Sequence, residues 1–388
     1  MPPSVTRAQV LAFRATAQQL DRAPGATPLA QARLLDIGAQ DTGPDGATWA
    51  LAIRGVEVAG TGPWPDELAL AWTVRGAPHA YRRAELAQVA RALVPFSEAD
   101  AAARVYDAAR PLRAAGIPMA EAWASVGREL TRVVTEPMAK GDVSTALTRA
   151  LPEPFRRWCR VCGATHLYEQ TFRLPALHAG VVTLPGTSPP VMAHAQEVPG
   201  DHLASLAEQV SVPPSRRPVP AHLDLVRAYL ALLGPAGPTD VARYLDAPVA
   251  DLRRRWAELT DSGELAEVDV EGERRWLLER DLEALLGATS AVGDGVVRLL
   301  GPYDLFLQAR DRPLVVPDAD RRRSLWPTLG RPGAVLAGIE VVGTWRPRAS
   351  GARLGVQTDP WTTWDARLGD AVDEQVDRLA AFRGLARR

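Results

Sequence analysis

At 388 residues the chain is longer than one hydrophobic core comfortably supports, and roughly two to four modules are expected. Hydrophobic residues make up 46% and charged residues 23%. There is no run of about 18 apolar residues, which excludes a helical membrane span, and only two cysteines, which excludes a disulfide scaffold and fits a reducing cytoplasm. The net charge is −1, so the protein is not basic as a whole, and a nucleic-acid partner would need a local basic face.

The N-terminus, MPPSVTRAQVLAFRATAQQLDR, lacks a basic start followed by an apolar run, so no signal peptide is expected. Lys140 is the only lysine; arginine carries nearly all the positive charge, alongside many Ala, Gly and Pro, as in GC-rich bacterial coding. The first module is expected over residues 1–115. VTRAQVLAFRATAQQL reads as a helix, PLAQARLLDIGAQD follows it, LALAWTVRGAPHAYRRAEL is extended, and LAQVARALV is again helical. Its most DNA-like piece is RGAPHAYRR. Arg75, Arg82 and Arg83 would meet phosphates there, and His79 could reach a sugar or a damaged base. The competing reading is a satisfied surface histidine with solvated arginines.

The second module is expected over 116–218. AEAWASVGRELTRVV and KGDVSTALTRAL, beginning at Lys140, read as helices, and Lys140 is assigned to DNA; His166 to Gly180 reads as a third helix and Val181 to Leu184 as a strand. Residues 186–218 are rich in Pro and Ser and read as a linker or a long wing. Within this module, RRWCRVCGATH holds both cysteines. A structural zinc site needs four ligands, whereas Cys159, Cys162 and His166 supply three, with His178 or Glu169 as candidates for a fourth. A redox pair of the thioredoxin kind would need a βαβ setting that is not evident. The expectation is no metal, and two half-buried cysteines at a helix start.

The third module, 219–290, has the clearest pattern. Leu223, Val226, Leu230 and Leu233 recur at helical spacing, Thr239 caps DVARYLD, and Pro248 opens a helix with Val249, Leu252, Trp256 and Leu259 on one face. LAEVDV and ERRWLL then form a hairpin about Glu271-Gly272. Three helices and a two-stranded wing make a winged helix-turn-helix, of which the two upstream modules are looser versions. Glu267, Asp269, Glu271 and Glu273 on the wing would repel phosphates, so this module is expected to be scaffold, with Arg254 and Arg255 nearest to any backbone. From Ala291 to the end, VVRLLGPYDLFLQA, PLVVP, GAVLAGIEVVGTW and RLGVQT are strand candidates, and DAVDEQVDRLAAFRGL is a closing helix. Residues 291–388 should therefore form a small β-barrel or sheet with a terminal helix. The fold class is α+β, with three tandem winged helices and this C-terminal domain.

RLLDIGAQDTGPDGATWALAIRG, WTVRGAPHAYRRAEL, LLGPYDLFLQARDRPLVVP and VVGTWRPR, in this order and spacing, resemble the AlkZ-like (YcaQ-like) winged-helix DNA glycosylases of bacteria. The resemblance extends over nearly the whole chain. It implies a duplex-DNA partner, monofunctional removal of purines alkylated at ring nitrogens, and unhooking of crosslinks. It also implies a catalytic motif of glutamine, an apolar residue, then glutamine or aspartate. Here the motif falls on Gly38-Ala39-Gln40, followed by Asp41, so Gly38 stands where the first glutamine is expected. An alkylated purine already weakens its glycosidic bond, and the enzyme has to hold a water behind the sugar and stabilise an oxocarbenium-like state. Gln40 would orient that water and Asp41 would act as base; Asp41 reads equally well as a helix or turn cap. ARDR resembles the family's basic element and assigns Arg310 and Arg312 to DNA, on one face if the piece is a strand, with Asp311 on the other.

Two further readings stay open. One is a non-catalytic DNA-binding protein on the same scaffold, a damage sensor or regulator; the other is a thiol- or metal-responsive regulator working through Cys159 and Cys162. No cofactor is expected, because neither GxxxxGK[ST] nor a GxGxxG after a strand occurs. A chain that wraps DNA by itself is expected to be a monomer in the cytoplasm, away from membranes.

Overall fold

A computed structural model describes every residue except Gly200, Ser205 and Asp294. The first two lie in the expected linker and the third near the start of the expected β-domain, so those positions fall outside the described residues. The chain divides into two compact units, both discontinuous in sequence. One comprises Met1–Trp64, Val226–Asp240 and Ser262–Arg388; the other comprises Pro65–Leu225 and Val241–Asp261. The α+β class holds. The helices Leu225–Leu233, Pro238–Leu245 and Val249–Asp261 and the hairpin that follows occur in the order expected for 219–290.

In the first unit, helix Arg7–Ala17 starts at a capping box: the Thr6 hydroxyl accepts from the Gln9 backbone N–H, and the Gln9 side chain accepts from Thr6 N–H. Strands Leu265–Val270 and Glu273–Leu278 pair antiparallel about Glu271 and Gly272. Both turn residues have positive φ, 52° and 90°, as a two-residue hairpin requires. The alternation of LAEVDV buries Ala266, Val268 and Val270 against Val10, Phe13 and Ala17. Strand Ser4–Val5, which local pattern did not suggest, adds to this hairpin in parallel.

The same unit contains a five-stranded sheet: Val297–Leu300, Gly333–Ala337, Glu340–Ser350, Arg353–Pro360 and Ala386–Arg387, in that order. The first four are antiparallel and the last is parallel. Among the described residues no pairing joins its edge strands into a closed barrel. Helix Ala366–Phe382 buries Val372, Val376, Leu379 and Ala380 at helical spacing. Two strand candidates are corrected. Leu305–Gln308 is a 3-10 turn capped by Asp304, and Arg312–Val315 is a single helical turn with Pro313 in its first turn.

In the second unit, strands Leu68–Trp72 and Pro78–Arg82 form a hairpin. The sheet continues antiparallel through Val181–Leu184, Val191–His194 and Met138–Ala139. Its core packs Trp123, Val126 and Leu130 of helix Met119–Val133 against Val143 and Leu147 of helix Lys140–Ala150. The stretch expected to be a linker or a long wing is largely structured. Residues 186–218 contain strand Val191–His194 and helices Asp201–Ala204 and Leu206–Ser211, whose Leu203, Leu206 and Val210 join this core. The expected helix from His166 to Gly180 is instead a strand end, a short helix Glu169–Arg173 and a 3-10 turn Leu177–Ala179.

Candidate active site

Gln40 ends the short strand Ala39–Gln40. Its side-chain Oε1 accepts from Gln308 Nε2 at 2.9 Å, and its Nε2 donates to Thr42 Oγ1 at 2.9 Å. Gln308 Nε2 also donates to the Tyr303 carbonyl at 2.9 Å. Because both acceptors on Gln308 are oxygens, its NH2 end is fixed, and Gln40 must turn its carbonyl toward it. The Gln40 oxygen keeps a second lone pair.

Gln308 closes the 3-10 turn that Asp304 caps, through Oδ1 and the Phe306 N–H at 3.0 Å. Asp304 in turn grips Arg54 through two bonds of 2.7 and 2.8 Å, with both side chains fully buried. The Arg54 guanidinium also donates to Ala50 O at 2.8 Å and Gln18 Oε1 at 3.2 Å. A buried ion pair, with Arg54 bonded through both terminal nitrogens and its Nε left without a partner, therefore sets the backbone that carries Gln308. Neither Gln308 nor Asp304 was singled out from sequence. Both sit inside YDLFLQARDRP, one of the stretches that carry the resemblance.

Asp41 turns its carboxylate to the start of helix Gly46–Ala52, where Oδ1 accepts from Ala47 N–H at 3.0 Å. The capping role anticipated for it is thus present. Burial pushes its pKa above the ordinary carboxylate value; the Ala47 N–H opposes this and the nearby Asp45 adds to it. Asp45 is itself held by Arg383 at 2.6 and 2.8 Å. Gly38 has φ +92°, a conformation that side chains on L-residues rarely adopt.

The ARDR stretch is not a strand, so the alternation expected of Arg310 and Arg312 does not apply. Residue 310 lies in a bend, and its backbone N–H meets Tyr229 OH at 3.4 Å. Asp311 is buried in an internal ion pair with Arg14, with bonds of 3.0 and 2.6 Å. Arg312 lies over the Trp326 ring at 4.9 Å, and Trp326 Nε1 donates to Leu307 O beside Gln308. Arg331, unremarked in the sequence, lies over the Tyr303 ring at 5.3 Å. Burial, and then Arg331, lower the Arg312 pKa, so the two cations feel one another. Among the described residues neither makes an ion pair with a carboxylate. Two mutually repelling guanidiniums thus lie on aromatic faces next to residues that hold Gln308.

The residues assigned to DNA in the second unit mostly have protein partners. His79 is corrected: it is fully buried, with Nδ1 at 2.9 Å from Thr73 Oγ1. Burial, helped by Arg75, lowers its pKa to about 3, so it is a neutral core histidine and not a surface contact. Arg75 lies over the Tyr244 ring at 4.8 Å and also bonds its carbonyl. Arg82 pairs with Glu85 at 2.9 Å. Arg83 donates to the Asp66 and Leu68 carbonyls at 2.6 and 2.9 Å. Lys140 pairs with Glu169 at 2.9 Å and sits over Trp72 and Phe172. Arg82 has a local partner, whereas Arg75 and Lys140 are held by Tyr244 and Glu169 from distant parts of the chain, which local spacing does not reveal.

The cysteines do not start a helix. Arg156–Cys159 and Ala164–Leu167 form a β-hairpin with Cys159 opposite Ala164, and Cys162 is exposed in its turn. The Cys159 thiol is lowered to about 6 by the Cys162 backbone N–H first, then by His166 and the Cys162 side chain.

The AlkZ-like DNA glycosylase family profile matches residues 31–382. Among solved structures, the Streptomyces sahachiroi DNA glycosylase AlkZ superposes with a TM-score of 0.68 at 20% identity, covering 99% of each chain. At that identity the match speaks for the fold. No curated protein matches significantly. With nine-tenths of its length matched in order, the chain belongs to the AlkZ-like DNA glycosylase family.

Proposed function

We propose that the protein is a monofunctional DNA glycosylase that hydrolyses the N-glycosidic bond of alkylated purines in duplex DNA. The observation that carries this reading is the Gln308–Gln40–Thr42 relay. It locks the one glutamine retained from the family motif with its carbonyl oriented and a lone pair to spare. In this reading the Gln40 carbonyl orients the attacking water and spreads positive charge away from the developing oxocarbenium. Asp41, with its raised pKa, takes the water proton; a base titrating nearer neutrality does so with better driving force than an ordinary carboxylate. The alkylated purine leaves without needing a proton. Arg312 and Arg331 would steady a backbone phosphate.

One observation favours a second reading, a DNA-binding protein without catalysis. Gly38 replaces the first glutamine of the motif and adopts φ +92°, so the backbone itself is built for glycine there. The deciding experiment incubates the purified protein with duplex DNA carrying N7-methylguanine, and separately N3-methyladenine, and measures free base and abasic sites, with Gln40→Ala as control. Release that the substitution abolishes supports the glycosylase. Retained duplex affinity with no release leaves the binding protein.

A further inference from the structure

The hairpin Arg156–Leu167 has no place in the proposed reaction, yet it gathers both thiols of the chain and an imidazole at one spot. Cys159 Sγ, Cys162 Sγ and a ring nitrogen of His166 all lie within 4.8 Å of one another. The strand register explains why. Cys159 faces Ala164 across the ladder, and His166, two residues further on, projects from the same face of the sheet as Cys159's partner. Residues 160–163 turn the chain so that the second sulfur returns to that face; Gly163, at φ +60°, supplies the left-handed step that ends the turn.

The polar surroundings suit a metal. His166 Nδ1 donates to the Leu167 carbonyl at 2.6 Å, which fixes the tautomer and leaves Nε2 with the available lone pair. Two thiolates and one imidazole form a soft, borderline donor set that selects zinc over magnesium or calcium. A tetrahedral zinc with Zn–S of about 2.3 Å holds its sulfurs about 3.8 Å apart, so the three ligand atoms need to converge by about 1 Å.

The geometry points to a zinc site with three protein ligands, Cys159, Cys162 and His166, and a fourth position left to water. The fourth ligands weighed from sequence are otherwise engaged. Glu169 is bound by Lys140 at 2.9 Å and by Arg173. His178 is buried against His202, with Nδ1 to Nε2 at 3.0 Å. A metal here would tie the two strands of the hairpin together and stiffen a tip whose Trp158 and Val161 side chains are 67% and 95% exposed. This site stands or falls independently of the glycosylase reading.

The test uses the full chain, purified reduced and stripped of metal, with cobalt(II) as the spectroscopic probe. The site predicts one cobalt per chain, a thiolate-to-cobalt charge-transfer band, the intense visible bands of tetrahedral cobalt, and displacement of both by zinc. Cys159→Ser and Cys162→Ser should each weaken zinc affinity by about a hundredfold or more, beyond the cost of losing an outer-shell partner. His166→Ala should keep the thiolate band while weakening binding, and Arg160→Ala should change neither; circular dichroism confirms that each variant is folded. Absence of the thiolate band in the reduced protein, or its persistence in the double cysteine variant, overturns the assignment.

Discussion

Asp304→Asn tests how the backbone of the candidate site is held. Asparagine can still accept from Phe306 N–H and from one Arg54 N–H, so the local turn keeps its cap and the substitution removes chiefly the charge. What remains is a guanidinium with no exposed surface facing a neutral amide, in place of a carboxylate at 2.7 and 2.8 Å. Breaking a buried pair from one side costs about 3–5 kcal/mol, against about 0–1 kcal/mol for a surface pair. The upper part of the first range is not expected, because Ala50 O and Gln18 Oε1 still accept from Arg54. Urea unfolding, read on the transition of the unit that contains both residues, should therefore show a loss of about 3 kcal/mol. Arg54→Met with Asp304→Leu removes both charges and should recover most of that loss, less about 1 kcal/mol for the cap. A loss below about 1 kcal/mol in Asp304→Asn, or a double variant as unstable as the single one, would refute the reasoning.

Two other outcomes follow from the site. Asp41→Asn keeps an acceptor for Ala47 N–H but removes a carboxylate whose pKa is raised by burial. In the folded state that raised pKa favours the protonated form, so the penalty of the charge is absent below the ordinary carboxylate value and grows as pH rises through the folded pKa. The variant should be more stable than the parent at neutral pH, with the difference fading in acid, and base release should fall by about 10²–10⁴ if Asp41 is the base. Equal stability of the two proteins at all pH values would contradict the burial argument. Arg312→Ala, measured by salt titration of duplex binding, should weaken affinity similarly for all sequences and lower the log–log salt slope by about 1. An unchanged slope would remove Arg312 from the phosphate contacts.

Where local pattern is strong, the sequence was enough. The hairpin Leu265–Val270 and Glu273–Leu278 was legible because strict alternation and a Glu-Gly turn act within a dozen residues. The helix after Pro248 was legible from its opening proline and apolar spacing for the same reason, whereas the capping box at Thr6 came only from the structure. Short apolar runs were not. Leu305–Gln308 and Arg312–Val315 have strand-like composition, but a cap at Asp304 and a proline in the first turn make helical turns of them. The cysteine hairpin was missed because its four-residue strands carry little apolar alternation.

The candidate site divides in the same way. Gln40, Asp41 and the gap at Gly38 were read from one contiguous motif, through its resemblance to the family. That His79 is a core residue, that Arg14 is buried, and that Gln308 orients Gln40 were decided only by the tertiary structure. Arg14 finds Asp311 across 297 residues, and Gln40 finds Gln308 across 268. Local propensity acts over a few residues. Partners brought together over such separations are chosen by burial, where an unpaired charge or amide is costly enough to dictate its neighbour.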